Sequence, residues 1–270
     1  MRSWYARRCA CSSVTRRLVA TLLLLVGSAA CAHPVATQLH GSRQLLVVLG
    51  DGWDGSRGQL YRLARPTTQA RWAVVGPPLS VWLGRRGLGW RSDPGAPPPP
   101  SRGPHKREGD GRSPAGLLSL DELWGYDGAA PAGVKLAYSQ ADASARCVDD
   151  VESPLYNQLV RQTTTPPPWR SAELLRMPTD HYKYLVVLGY NRQPVQRGAG
   201  SCIFLHVAPP PQGPTAGCTA LAESELLALL RWLDPSDQPL LLQVPRELLA
   251  ATVRAWQLPA ELPRALSVGK

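Results

Sequence analysis

The sequence predicts a mainly β fold carrying a few short helices. Short apolar runs closed by Gly, Pro, Asp or Asn recur along most of the 270 residues, whereas clear helical periodicity is confined to the C-terminal part. No segment after the N-terminal leader is apolar for long enough to span a membrane.

The chain opens with Arg2, Arg7, Arg8, Arg16 and Arg17 and no acidic residue, followed by the apolar run Leu18 to Val26 and the small residues Gly27 to Ala30. This is the layout of a secretory signal peptide, expected over residues 1–32. Ala30-Cys31-Ala32 fits cleavage before His33, the preferred reading; the alternative is a lipoprotein acceptor at Cys31. Either way the expected location is the periplasm or cell envelope, with residues 33–270 forming a single domain. The leader supplies five of the 30 basic residues and none of the 20 acidic ones, so the formal +10 falls to +5 once it is removed. The remaining arginines are scattered rather than interleaved with aromatics. That argues against a nucleic-acid partner and is compatible with an anionic polymer.

The first strand is expected at Gln44 to Leu49, a β-rich run ended by the turn signal Gly50-Asp51-Gly52. Similar runs follow at Gly58 to Arg65, Trp72 to Val75, Ser80 to Leu83, Val134 to Ser139, Tyr182 to Tyr190 and Cys202 to Val207. Residues 93–105 hold four consecutive prolines, Pro97 to Pro100, among Gly and Ser, which predicts an exposed loop that packs poorly. Thr163 to Pro168 is a second proline-rich connector. The clearest helix runs from Glu223 to Leu233, where Leu226, Leu227, Leu229, Leu230 and Leu233 make an apolar face and acids occupy the first turn. Arg246 to Trp256 is a second helix, Pro154 to Arg161 a weaker third, and Pro239 to Val244 a strand between the two terminal helices.

Of the six cysteines, Cys9 and Cys11 lie in the leader and Cys31 at its end, leaving Cys147, Cys202 and Cys218 in an oxidising compartment. One solution is a Cys147–Cys202 disulfide with Cys218 free and reactive; the other leaves Cys147 and Cys202 as small buried hydrophobes. The histidines His33, His40, His105, His181 and His206 lack metal-ligand spacing, so no metal site is expected.

The chemistry is concentrated between Gly200 and Leu221. His206 ends an apolar run, a proline-rich turn follows, and Pro214-Thr215-Ala216-Gly217-Cys218 precedes the Glu223 helix. If the turn folds back, His206 and Cys218 meet, and a histidine within hydrogen-bond reach makes a thiolate available near neutral pH. Gly217 permits a sharp bend, backbone N–H groups around Cys218 are candidate oxyanion donors, and the following helix adds its positive end nearby.

This segment resembles the active-site signature of the L,D-transpeptidase (YkuD-like) catalytic domain, in which a histidine on a strand precedes a Ser/Thr-x-Gly-Cys element. Thr215-Ala216-Gly217-Cys218 matches that element. Lys106-Arg-Glu-Gly-Asp-Gly-Arg-Ser-Pro-Ala-Gly116 resembles the family's Thr-Pro-x-Gly loop in the longer form of one bacterial branch. Arg146-Cys-Val-Asp-Asp150, Tyr156-Asn157, Ser171-Ala-Glu173 and Tyr190-Asn191 also look like that branch, so the resemblance runs in chain order from about Val74 to Pro235.

The resemblance implies a YkuD-like β-sandwich. It also implies a transferase of peptidoglycan biosynthesis and cell-wall organisation, acting on peptidoglycan stem peptides without a cofactor. Cys218 would be the nucleophile, His206 the general base and acid oriented by the Val207 carbonyl, Gly217 the active-site turn and Thr215 a motif position. Lys106, Glu108, Asp110 and Arg112 are candidate substrate contacts, whereas Asp149, Asp150 and Glu173 are read as loop or salt-bridge residues. Many family members follow the cysteine with Ile or Val and then Arg or Asn. Thr219-Ala220 departs from that, so substrate contacts at this position do not carry over. Two alternatives stay open: a hydrolase that trims wall peptides, and a degenerate wall-binding protein.

Overall fold

A computed structural model describes residues 34–208 and 210–266; the expected leader, with Cys31 and His33, lies outside the described residues. In chain order the elements are α1 (Pro34–His40), β1 (Gln44–Gly50), β2 (Arg57–Ala64), β3 (Ala73–Val74), β4 (Leu79–Trp82), β5 (Leu88–Trp90) and β6 (Ser113–Gly125). Next come β7 (Tyr138–Gln140), β8 (Ala145–Val148), β9 (Leu159–Arg161), β10 (Ala172–Leu174), a 3-10 turn (Asp180–Tyr182), β11 (Tyr184–Leu188), β12 (Phe204–Val207) and β13 (Thr219–Leu221). The chain finishes with α2 (Glu223–Trp232), β14 (Leu240–Pro245), α3 (Leu249–Ala255) and α4 (Leu262–Ala265).

The fold is mainly β, and its large sheet closes on itself. Strands β1, β14, β6, β11, β12, β13, β4 and β2 pair in that order, and β1 pairs back onto β2. Closure leaves these strands without a free edge, and the result is a barrel-like sheet. A separate three-stranded sheet, β10-β8-β9, accompanies it.

Period-two alternation sorts the side chains into two cores. Along β11, Tyr184, Val186 and Leu188 join the main core, whereas Leu185 and Val187 join a second one. Along β12, Leu205 and Val207 join the main core and Phe204 the second. The second core also holds Trp124 of β6, Ala145 and Cys147 of β8, Leu175, Tyr182, Cys202 and Cys218. The face of the large sheet that carries Phe204 is therefore covered by the small sheet and the 3-10 turn. All seven residues of β1 are buried, as expected of a strand covered on both faces, and Val35, Leu39, Leu249, Val253 and Leu262 of α1, α3 and α4 join the same core with Trp256, which follows α3.

Several expectations change. β6 is the longest strand although it contains no β-branched residue; pairing with β14, β11, β5 and β7 imposes the conformation its sequence does not signal. The helix expected over 154–161 is absent. Asn157 sits at φ +60° with its side-chain amide donating to the Tyr190 and Asn191 carbonyls, which ends any helical path, and Leu159–Arg161 pairs with β8 instead. The strand expected over 134–139 forms only at Tyr138–Gln140, and the Arg246 to Trp256 helix begins as a 3-10 turn.

The proline-rich loop 93–105 is irregular but tied down. Trp90 Nε1 donates to the Ser101 carbonyl at 3.1 Å and Trp256 Nε1 to the Pro98 carbonyl at 3.0 Å. Gly103 lies against the Trp53 ring so closely that a Cβ would fall 2.3 Å from it. Trp53, Trp90 and Trp256 meet edge-on, giving the loop an aromatic bed. Among the described residues, no helix is long and apolar enough to cross a membrane.

Candidate active site

β12 and β13 run parallel, with His206 opposite Ala220. Cys218 lies two residues before Ala220, so the two-residue period turns the Cys218 and His206 side chains toward the same face of neighbouring strands, on the diagonal. Both are buried, and both line a cavity of about 390 Å³. The other walls include Arg85, Lys106, Glu108, Asp149, Glu173 and Tyr182, so the cavity carries both signs of charge.

The turn before β13 is built from short polar bonds. The Thr215 hydroxyl donates to the Cys218 carbonyl at 2.6 Å and accepts the Gly217 N–H at 3.1 Å. Ser113 Oγ donates to the same carbonyl at 2.7 Å. Gly217 sits at φ +156°, where a Cβ would fall 3.1 Å from the Arg112 carbonyl, so the position favours glycine. Since Thr215 takes the Gly217 N–H, that group is not an oxyanion donor in this arrangement. β13 lies between Cys218 and α2, and α2 begins at Glu223 as expected.

The thiol and imidazole are held by different neighbours. Cys218 Sγ accepts the Phe204 N–H at 3.3 Å and contacts the Cys202 carbonyl at 3.4 Å. His206 Nδ1 pairs with the Val207 carbonyl at 2.8 Å; in the neutral ring this makes Nδ1 the donor and Nε2 the nitrogen that carries the lone pair. Tyr182 meets the His206 ring edge-on at 5.1 Å, and His181 lies 6.3 Å away.

Burial dominates the protonation of both groups. It pushes the His206 imidazole down to about 4, against smaller upward pulls from the Val207 and His181 backbone carbonyls. Burial also raises the Cys218 thiol well above its ordinary value, and the Glu173 charge adds to this, while the Phe204 N–H, Lys106 and the Tyr182 hydroxyl oppose it. With the thiol raised and the imidazole lowered, both groups rest in their neutral forms.

Cys147 and Cys202 are joined in a disulfide, and Cys218 is a free buried thiol. Among the four candidate substrate contacts, Lys106 and Glu108 line the cavity whereas Asp110 and Arg112 do not. Lys106 Nζ is bound to Asp110 at 2.7 Å and to the Arg107 carbonyl at 2.6 Å. Glu108 accepts the hydroxyls of Tyr156 at 2.5 Å and Ser201 at 2.7 Å. Arg112 is a structural brace, donating to the Trp53 and Leu88 carbonyls and pairing with Asp54.

Asp150 is a salt-bridge residue, paired with Arg170 at 2.9 Å, and Arg170 holds its carboxyl well below the usual range. Glu173 differs from the sequence reading: it faces the cavity, accepts the Tyr182 hydroxyl at 2.7 Å, and burial pushes its carboxyl up to about 7. Tyr182, expected to begin a strand, instead ends the 3-10 turn and was not singled out in the sequence, because a tyrosine in an apolar run reads as core. The Tyr156-Asn157 and Tyr190-Asn191 pairs form a scaffold for residues 200–202. Asn157 accepts the Cys202 N–H, Tyr156 accepts the Gly200 N–H, and Asn191 donates to the Gly200 carbonyl. No three His, Cys, Asp or Glu side chains converge as metal ligands among the described residues. Comparison with protein-family models, with curated proteins and with solved structures found no match to this chain.

Proposed function

We propose that this protein is an exported cysteine acyltransferase of the L,D-transpeptidase kind, acting on peptidoglycan stem peptides. The observation that carries the reading is the placement of the free Cys218 thiol and the His206 imidazole on one face of paired strands, opening into one cavity. Thr215-x-Gly217-Cys218 and its resemblance to the family signature supply the reaction class. In this reading the mainly β fold is that family's catalytic fold.

The chemistry follows from the neutral resting pair. As Cys218 Sγ attacks the carbonyl of the third stem residue, its proton passes to His206 Nε2, so charge separation occurs only once substrate is in place. His206⁺ then protonates the departing amine of the terminal D-alanine, leaving a thioester. An amine of a neighbouring stem attacks the thioester, its proton returns through His206 to the sulfur, and a cross-link forms. The Val207 carbonyl, accepting from Nδ1–H, stabilises the imidazolium that forms in between. A cavity lined by Lys106 and Arg85 on one hand and Glu108, Asp149 and Glu173 on the other suits a zwitterionic peptide.

Incubation of the purified protein with tetrapeptide muropeptides and a second amine, followed by mass analysis, tests this reading. Cross-linked dimers with loss of D-alanine are expected. Tripeptide monomers alone would make the protein a hydrolase, and no product at all would remove the enzymatic reading.

A further inference from the structure

Cys147 belongs to the small sheet and Cys202 to the segment that leads into β12, so their disulfide ties the small sheet to the wall of the cavity. At Cys202 the backbone takes φ +53°, uncommon for a residue with a side chain, and its carbonyl is a partner of the Cys218 thiol. On the other side of the disulfide, the β8–β10 register places Glu173 directly opposite Cys147. Opposed residues of an antiparallel pair project from the same face, so the staple and the carboxylate are presented together. Glu173 accepts the Tyr182 hydroxyl, and the Tyr182 ring lies edge-on against both His206 at 5.1 Å and Phe204 at 5.6 Å. The disulfide, the β8–β10 register and these contacts thus link the Cys218 thiol through Cys202, Cys147, Glu173 and Tyr182 to the His206 imidazole.

We propose that the small sheet, stapled by Cys147–Cys202, is the positioning frame of the Cys218–His206 pair, with Cys202 setting the thiol and Glu173, through Tyr182, setting the imidazole. None of the four framing residues needs to touch the reacting atoms of a substrate. Their effect is geometric: a displacement of the base relative to the sulfur by about 1 Å is enough to cost up to about a hundredfold in rate. Opening the staple with a dithiol reductant delivers two electrons and two protons to the two sulfurs, the reductant becoming a disulfide. Both arms of the frame are then freed together. The inference rests on reading Cys218 as a nucleophile, but its test reads thiol reactivity and does not depend on peptidoglycan as substrate.

The full chain is treated with a small alkylating agent under pseudo-first-order conditions, and modification is followed by mass spectrometry at the peptide carrying Cys218. The protein is compared with Cys147→Ala/Cys202→Ala, Tyr182→Phe, Glu173→Ala and Glu173→Gln, with thermal melts to establish that each is folded. The double alanine variant is expected to react about tenfold more slowly or worse, and Tyr182→Phe, which removes a hydroxyl shared with Glu173 and felt by the thiol, to lose reactivity with the disulfide intact; both Glu173 variants remove a charge that raises the thiol, so positioning is read from Glu173→Ala reacting more slowly than Glu173→Gln. Glu173→Gln removes the same charge as Glu173→Ala but keeps an acceptor for the Tyr182 hydroxyl, so it should recover most of the rate. Equal rates for the Gln and Ala variants, or a folded double alanine variant that reacts as fast as the unsubstituted protein, would overturn the proposal. If the double variant does not fold, the Gln and Ala pair alone decides it.

Discussion

The Thr215 hydroxyl donates to the carbonyl of Cys218 at 2.6 Å while accepting the N–H of Gly217, so one side chain closes the turn that presents the Cys218 thiol. Thr215→Val keeps the shape and removes both bonds. It should cost about 1 kcal/mol in stability and a larger fraction of acyl-transfer rate, whereas Thr215→Ser keeps both. Denaturant melts beside single-turnover rates separate the two effects.

Gly217 stands at φ +156° with the Arg112 carbonyl where a Cβ would point. Gly217→Ala is expected to destabilise by about 1–3 kcal/mol, or to relax by moving Cys218. In either case the rate of thioester formation should fall by more than the loss of folded protein accounts for.

Arg112 was expected at the substrate, but it braces the Trp53 and Leu88 carbonyls and Asp54 away from the cavity. Arg112→Lys cannot reproduce that fork and should lower stability by about 1–3 kcal/mol. KM for a stem peptide should not change, and a clear rise in KM would return Arg112 to the binding site.

Two titrating groups of the cavity, the buried His206 and the half-buried Glu173, act on stability in opposite directions. His206 binds its proton near 6.5 in the unfolded chain and near 4 in the folded one, so through that window the unfolded state holds more protons and stability rises with pH. Glu173 ionises near 4.5 unfolded and near 7 folded, so there the folded state holds more protons and stability falls as pH rises. The slopes oppose each other between pH 4.5 and 6.5. Glu173→Gln removes one of them. Chemical denaturation at stepped pH should show the variant rising through the His206 window, and well above pH 7 exceeding the parent protein by at most about 3 kcal/mol.

What the sequence disclosed follows from what each residue needs locally. β1, β2, β4, β12 and β14 were visible because their apolar runs end at turn residues, and α2 because Leu226, Leu229 and Leu230 fall at helical spacing. β6 was invisible because Ser113 to Gly125 owes its conformation to distant partners. Asn157 defeated the helix expectation because its left-handed backbone is fixed by carbonyls more than thirty residues away. At the site, Cys218 and His206 were singled out by their order and the Thr215-x-Gly217-Cys218 setting, and the Val207 carbonyl only through the family resemblance. The neutral resting pair, the cavity-facing Glu173 and the Tyr182 contact depend on how the small sheet meets the large one, which short-range pattern does not encode.

The central claim is that Cys218 carries an acyl group during turnover. Intact-mass measurement after mixing with a tetrapeptide donor or a β-lactam acylating agent tests it most directly. The expected result is one added acyl mass that is removed by hydroxylamine and is absent from Cys218→Ala. The contrary result is no adduct on the unsubstituted protein, or an adduct that survives Cys218→Ala unchanged.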